Sequence, residues 1–170
     1  MVFLLYRAEV GPRATITYGD IDHKIVSVGL TDERADSVVV CIHAQIPKND
    51  DIDSETFRAK AIETMESLGC DTSAITKARE DRLPVAIWTL FHPADGDKIR
   101  DFLNKGTKTR SLNYDPIITE DDVLALDEGQ LKKLKDEYNV KPFVIAQFQG
   151  EAVFIPAGSL RQVRMKYLNY

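Results

Sequence analysis

The sequence predicts a mainly β protein, a sandwich or barrel with helices inserted between groups of strands. One run, Ser37–Ala44, is nearly continuous in apolar and β-branched residues, as a strand buried on both faces is, and Val85–Phe91 is another strong strand. Helical periodicity is confined to three stretches. Strands and helices come in blocks and not in the regular alternation that builds a parallel sheet. With 170 residues, 44% of them hydrophobic and 29% charged, the chain fits one globular domain with a real core.

In chain order, Thr15–Tyr18 and Lys24–Val28 alternate as short strands around a Gly19–Asp20 turn. The Ser37–Ala44 strand is expected at the centre of the fold and ends at Pro47–Asp51. Asp53 or Ser54 caps a helix with Phe57, Ala61, Met65 and Leu68 on one face, stopped by Gly69. Residues 70–83 are polar and read as loop with at most one helical turn, and Val85–Phe91 is the second strong strand. Asp95 caps a helix through Leu103, and residues 106–123 connect it to a third helix. That helix starts at Asp127 and carries Leu131, Leu134 and Tyr138 on one face. Phe143–Phe148 is a further strand.

The stretch Gly150–Val163 carries the strongest local pattern. Ala152–Ile155 is a strand, Pro156 removes a ladder donor, Gly158 permits a tight turn, and Gln162-Val163 begins a returning strand. A hairpin of this kind at a sheet edge would present Arg161 inward toward a cavity.

Chemistry-bearing residues are sparse. The net charge of −5 argues against nonspecific nucleic-acid binding. Lys105–Arg110 is a local basic patch best read as a solvated loop. Cys41 and Cys70 lie in no CxxC spacing, so neither a zinc signature nor a disulfide framework is present, and reduced intracellular thiols are expected. The apolar opening Met1–Tyr6 ends at Arg7, too short for a signal h-region or a membrane span. His23 follows a polar turn, His43 falls in a strand expected to be buried, and His92 stands at a strand end. None has a carboxylate two residues later. The acidic runs Asp50–Asp53 and Glu120–Asp122 read as solvated loops and caps.

Four blocks, in order, resemble a known family: Gly11-Pro12-Arg13 with Tyr18-Gly19; Gly29–Asp36; Ala86-Ile87-Trp88 with Asp97–Leu103; and Tyr138 through Val163. Together, over about residues 11–163, they are similar to the JmjC domain of the demethylases acting on lysine 9 of histone H3, the subgroup that includes Hairless. The resemblance implies one JmjC-like domain over 1–170, a cupin-like jelly roll (double-stranded β-helix) incomplete at both ends. It implies a nuclear, chromatin-associated protein whose partners are histone tails or chromatin proteins, with no membrane contact. In the family, a His-x-Asp or His-x-Glu pair and a distant His hold Fe(II), and 2-oxoglutarate is the cosubstrate.

This chain departs from that pattern at the ligands. The resemblance sets Arg34 and Asp36 where the family's His-x-carboxylate pair stands, and Arg161 at the distant His. A guanidinium has five donors and no acceptor, so it cannot ligate a metal. The expectation is therefore an Arg34–Asp36–Arg161 ion-pair cluster and a catalytically degenerate binding or scaffold module needing no cofactor. Thr31, Thr89 and Lys98 (or Arg82) are the candidate remnants of a 2-oxoglutarate site. Arg34 and Arg161 could also clamp a dicarboxylate between them. Two alternatives stand beside it: an active Fe(II)- and 2-oxoglutarate-dependent demethylase with an unusual metal site, and a cupin-like domain binding a small anion or a partner protein.

Overall fold

The computed structural model describes residues 26–44, 54–80, 82–106, 117 and 125–165. Among these the chain runs β1 (Val26–Asp32), β2 (Ser37–Val40), α1 (Ser54–Leu68), α2 (Thr72–Arg79) and β3 (Ala86–Phe91). A 3-10 turn (Pro93–Asp95) then leads into α3 (Gly96–Gly106), α4 (Glu128–Tyr138), β4 (Phe143–Gln147), β5 (Ala152–Ile155) and β6 (Leu160–Met165). The expected strand Thr15–Tyr18, its turn, His23, the Pro47–Asp51 strand end and both acidic runs lie outside the described residues.

The strands form two antiparallel sheets, one of four strands in the order β1-β6-β3-β4 and one pairing β2 with β5. Side chains alternate between the faces of a strand, and the alternation assigns each face of the larger sheet a different cover. Ala86, Trp88, Leu90 and Val163 pack against Val153, Ile155 and Val39 of the smaller sheet. On the opposite face Ile87 and Ala146 meet α1 and α2 through Met65, Cys70 and Ala78. Phe91 and Leu160 meet α3 and α4 through Ile99, Leu103 and Leu134. The result is three layers: helices, the four-stranded sheet and the two-stranded sheet. A polar tie joins the two sheets. Gln147 Oε1 accepts from Trp88 Nε1 at 2.9 Å, and Gln147 Nε2 donates to Val39 O at 2.9 Å and Glu151 O at 3.0 Å.

Local chemistry explains most element ends. Gly69 adopts φ +79° directly after α1, the left-handed stop a side chain would resist. Asp127 and Gln130 form a reciprocal capping box at the start of α4, and Asn139 closes it in the left-handed conformation. The expected 95–103 helix is preceded by the 3-10 turn, whose first N–H groups are met by His92: its Nδ1 accepts from Ala94 N at 3.1 Å.

Four expectations are corrected. Helix is more than decoration: α1, α3 and α4 span 15, 11 and 11 residues, whereas no strand among the described residues exceeds 7. The 70–83 stretch contains α2, started by the Asp71 cap and held by Ala74, Ile75 and Ala78 against the core. Among the described residues β2 is neither central nor buried on both faces, because β5 is the one strand that pairs with it and nothing covers its outer side. Val38 and Val40 are 60% and 53% exposed, and His43 is exposed too. Finally, β5 and β6 form no hairpin. β5 pairs with β2, while β6 lies between β1 and β3, so Pro156–Ser159 carries the chain from one sheet to the other. Pro156 and Gly158 still make the turn, but the strand after it is interior and not an edge.

Candidate functional site

The turn between the sheets sets Arg161 on the inner face of the larger sheet, directly opposite Thr31 of β1 and Leu90 of β3. Thr31 and Glu33, two residues apart, share that face. The Arg161 Nε donates to Glu33 Oε1 in an ion pair whose side chains are only 24% and 18% exposed. Behind the pair the Arg161 guanidinium lies 5.7 Å from the centre of the Trp88 ring, a cation–π contact. Thr31 Oγ1 donates to Arg161 O at 3.4 Å, and Ser37 Oγ reaches the other Glu33 oxygen at 3.5 Å.

Backbone bonds hold this arrangement from both sides. Glu33 N donates to Ser159 O at 3.0 Å, and Gly158 N donates to Glu33 O at 2.6 Å. Gly158 adopts φ +78° to do so, which makes it the one residue of the turn where a side chain would cost strain.

The sequence-predicted residues are distributed differently. The carboxylate that meets Arg161 is Glu33, whereas Asp36 Oδ1 accepts the Ala157 N–H at 2.8 Å on the turn. Arg34 stands exposed between β1 and β2. Thr31 lies beside Arg161. Thr89 does not: alternating with Trp88 and Leu90, it faces the helices, opposite Gln162, and its buried Oγ1 has no hydrogen-bond partner. Lys98 pairs with Asp95 at 2.8 Å on the surface of α3, and Arg82 lies 5.9 Å from the Phe148 ring centre. Glu33 was legible as the second member of Thr31-x-Glu33. Arg34-x-Asp36 has the same spacing with a larger polar first residue, and so masks the threonine pair in the sequence.

Nothing else among the described residues offers a competing site. No three His, Cys, Asp or Glu side chains gather as metal ligands would. Burial, with the Asp71 charge beside it, pushes the Cys70 thiol up to about 11, and burial also raises Cys41, so neither supplies a thiolate near neutrality. No helix among the described residues is long and apolar enough to cross a membrane.

Two facing antiparallel sheets with helices on the outer side are compatible with a jelly-roll-like domain, carrying a polar site at one end of the inner face. Comparison with known proteins narrows the class. The chain is 33% identical to lysine-specific demethylase 3A of Gallus gallus over 168 residues, which is 95% of this chain and 12% of that protein. It is 36% identical to lysine-specific demethylase 3 of Drosophila melanogaster over 92% of this chain and 18% of that protein. With the probable JmjC domain-containing histone demethylation protein 2C of Homo sapiens it shares 32% identity over 93% of this chain and 6% of that protein. No family profile matches. The chain thus corresponds to a small part, 6 to 18%, of each of these relatives. The similarities support a JmjC domain of the lysine-demethylase type.

Proposed function

We propose that the chain is a JmjC-related domain in which Thr31, Glu33 and Arg161 stand where the family holds its iron, and that it serves as a binding or scaffold module in chromatin. On this reading the complete domain is a double-stranded β-helix, its setting is the nucleus, and its partners are histone tails or chromatin proteins. The observation that carries the reading is the Arg161–Glu33 ion pair, with Thr31 opposite Arg161. The i, i+2 spacing at the end of β1, with the facing residue on β6, matches the layout of a two-histidine, one-carboxylate site. The side chains do not fit Fe(II). Of the three, one is a carboxylate, one an alcohol, and one a guanidinium that stays protonated and offers no lone pair. A guanidinium about 4 Å from a metal ion would oppose it by about 4 kcal/mol per unit of metal charge at an effective dielectric near 20. The same geometry disfavours a free dicarboxylate clamp, since Glu33 already takes the Arg161 charge.

The test is an assay of the chain with Fe(II), 2-oxoglutarate and a peptide dimethylated or trimethylated at lysine 9 of histone H3. Succinate and formaldehyde are expected to stay at background while the peptide is retained in a pull-down. Release above background would establish an oxygenase instead. A silent assay with no retained histone peptide would point to the cupin-like small-anion or partner-binding alternative.

A further inference from the structure

We propose that Arg161 is a resident cation standing in for a divalent metal ion, and that the backbone around it retains the geometry of a metal site. The inference rests on the register proposed above and goes beyond it: the loss lies in two side chains, not in the scaffold. Three observations carry it. First, the position of Glu33 is set by main-chain bonds on both sides, to Ser159 O and from Gly158 N, and so does not depend on Arg161 being present. Second, Thr31 and Arg161 are directly opposed across β1 and β6, and Glu33, two residues along, reaches the same Arg161 side chain. Opposed side chains on antiparallel neighbours leave the backbone roughly 5 Å apart, and donors on one first-row metal sit about 2 Å from it. Two imidazoles starting from positions 31 and 161 therefore reach a common point beside the Glu33 carboxylate. Third, the Arg161 charge is placed as a metal charge would be: against the carboxylate, over the Trp88 ring, and largely shielded from water.

A plain cross-strand ion pair makes a different prediction. Such a pair orders two strands and carries no requirement that their other side chains converge on one point. The two are separated by the Thr31→His/Arg161→His variant of the full chain, titrated with cobalt chloride and followed by the visible absorption of bound Co(II). The wild-type chain is expected to show no band. The double variant should bind one Co(II) per chain at micromolar affinity, with a rise in Tm, and adding Glu33→Gln should weaken binding at least tenfold. A double variant that is folded by circular dichroism but binds no Co(II), or binds it equally well with Glu33→Gln, overturns the proposal. Should the double variant fail to fold, Arg161→His alone decides. It supplies two of the three ligands and must bind Co(II) at least tenfold more tightly than wild type, and equal binding counts against the inference. These outcomes are independent of whether the wild-type chain retains a histone peptide.

Discussion

β3 and β2 are written in the same alphabet and have opposite fates. Ala86–Phe91 and Ser37–Val40 are both rich in large apolar or β-branched side chains, yet every residue of β3 is buried while β2 alternates between half-buried and exposed. The difference is one of neighbours. β3 has β6 on one side, β4 on the other, helices above and the smaller sheet below. Among the described residues β2 has β5 as its partner and a single covered face, so Val39 packs inward while Val38 and Val40, with Phe154 opposite Val38, point outward. Composition announces that a segment can be a strand. The number of layers around it decides what its side chains are worth.

The contrast can be broken most strongly at Trp88. Trp88→Ala removes the largest side chain between the two sheets and strands the Gln147 oxygen it donates to. A loss of about 3–5 kcal/mol is expected in urea denaturation. A loss below about 1 kcal/mol would mean that the sheets are held together elsewhere.

A smaller effect is expected where the two-stranded sheet is fastened by charge. Glu151, just before β5, accepts from Lys77 of α2 at 2.9 Å and from Phe148 N at 3.2 Å. Burial pushes its carboxyl up, but the Lys77 and Phe148 hydrogen bonds outweigh it and leave it below its ordinary value of 4.5. A carboxyl lowered on folding stabilises the protein above its unfolded pKa, and that contribution is lost as pH falls through the folded value. Glu151→Gln should therefore lower the Tm at pH 7 and flatten its decline below about pH 4.5. Parallel acid limbs for variant and wild type would remove Glu151 as a contributor.

The smallest change belongs to the outer face of β2 and β5. Phe154→Ser, at a side chain 57% exposed, is expected to alter stability by no more than about 0.5 kcal/mol. A loss comparable with that of Trp88→Ala would show that this face is covered in solution.

How much of this was legible follows from the same logic of neighbours. Signals that act within a few residues were readable. The helix start at Asp127, the Gly69 stop, the α1 face of Ala61 and Met65, and the strand character of 86–91 and 152–155 all depend on local chemistry. α2 was missed because its apolar face is short, Ala74, Ile75 and Ala78, within an otherwise polar stretch. The burial of β2 and the hairpin at 156–159 were misjudged because both depend on which sheet a strand joins, and periodicity does not encode that. The site was half legible. Arg161 stands out in the sequence, but the carboxylate it pairs with is Glu33, and Asp36 accepts the Ala157 N–H instead. The signal for Glu33, its place in Thr31-x-Glu33, gains meaning once Thr31 is seen opposite Arg161.

The position of β6 also bears on how the chain is made. It is the last described strand to be synthesised and the one that β1 and β3 both require, with Thr31 and Arg161 separated by 130 positions. Closing that span costs about 2 kcal/mol more entropy than a ten-residue loop. Until residues 160–165 leave the ribosome, β1 and β3 carry open edges facing an empty slot, and such edges pair readily with other chains. A nascent chain is therefore most exposed to misassembly until residues 160–165 emerge, and shielding by a chaperone would matter most before then.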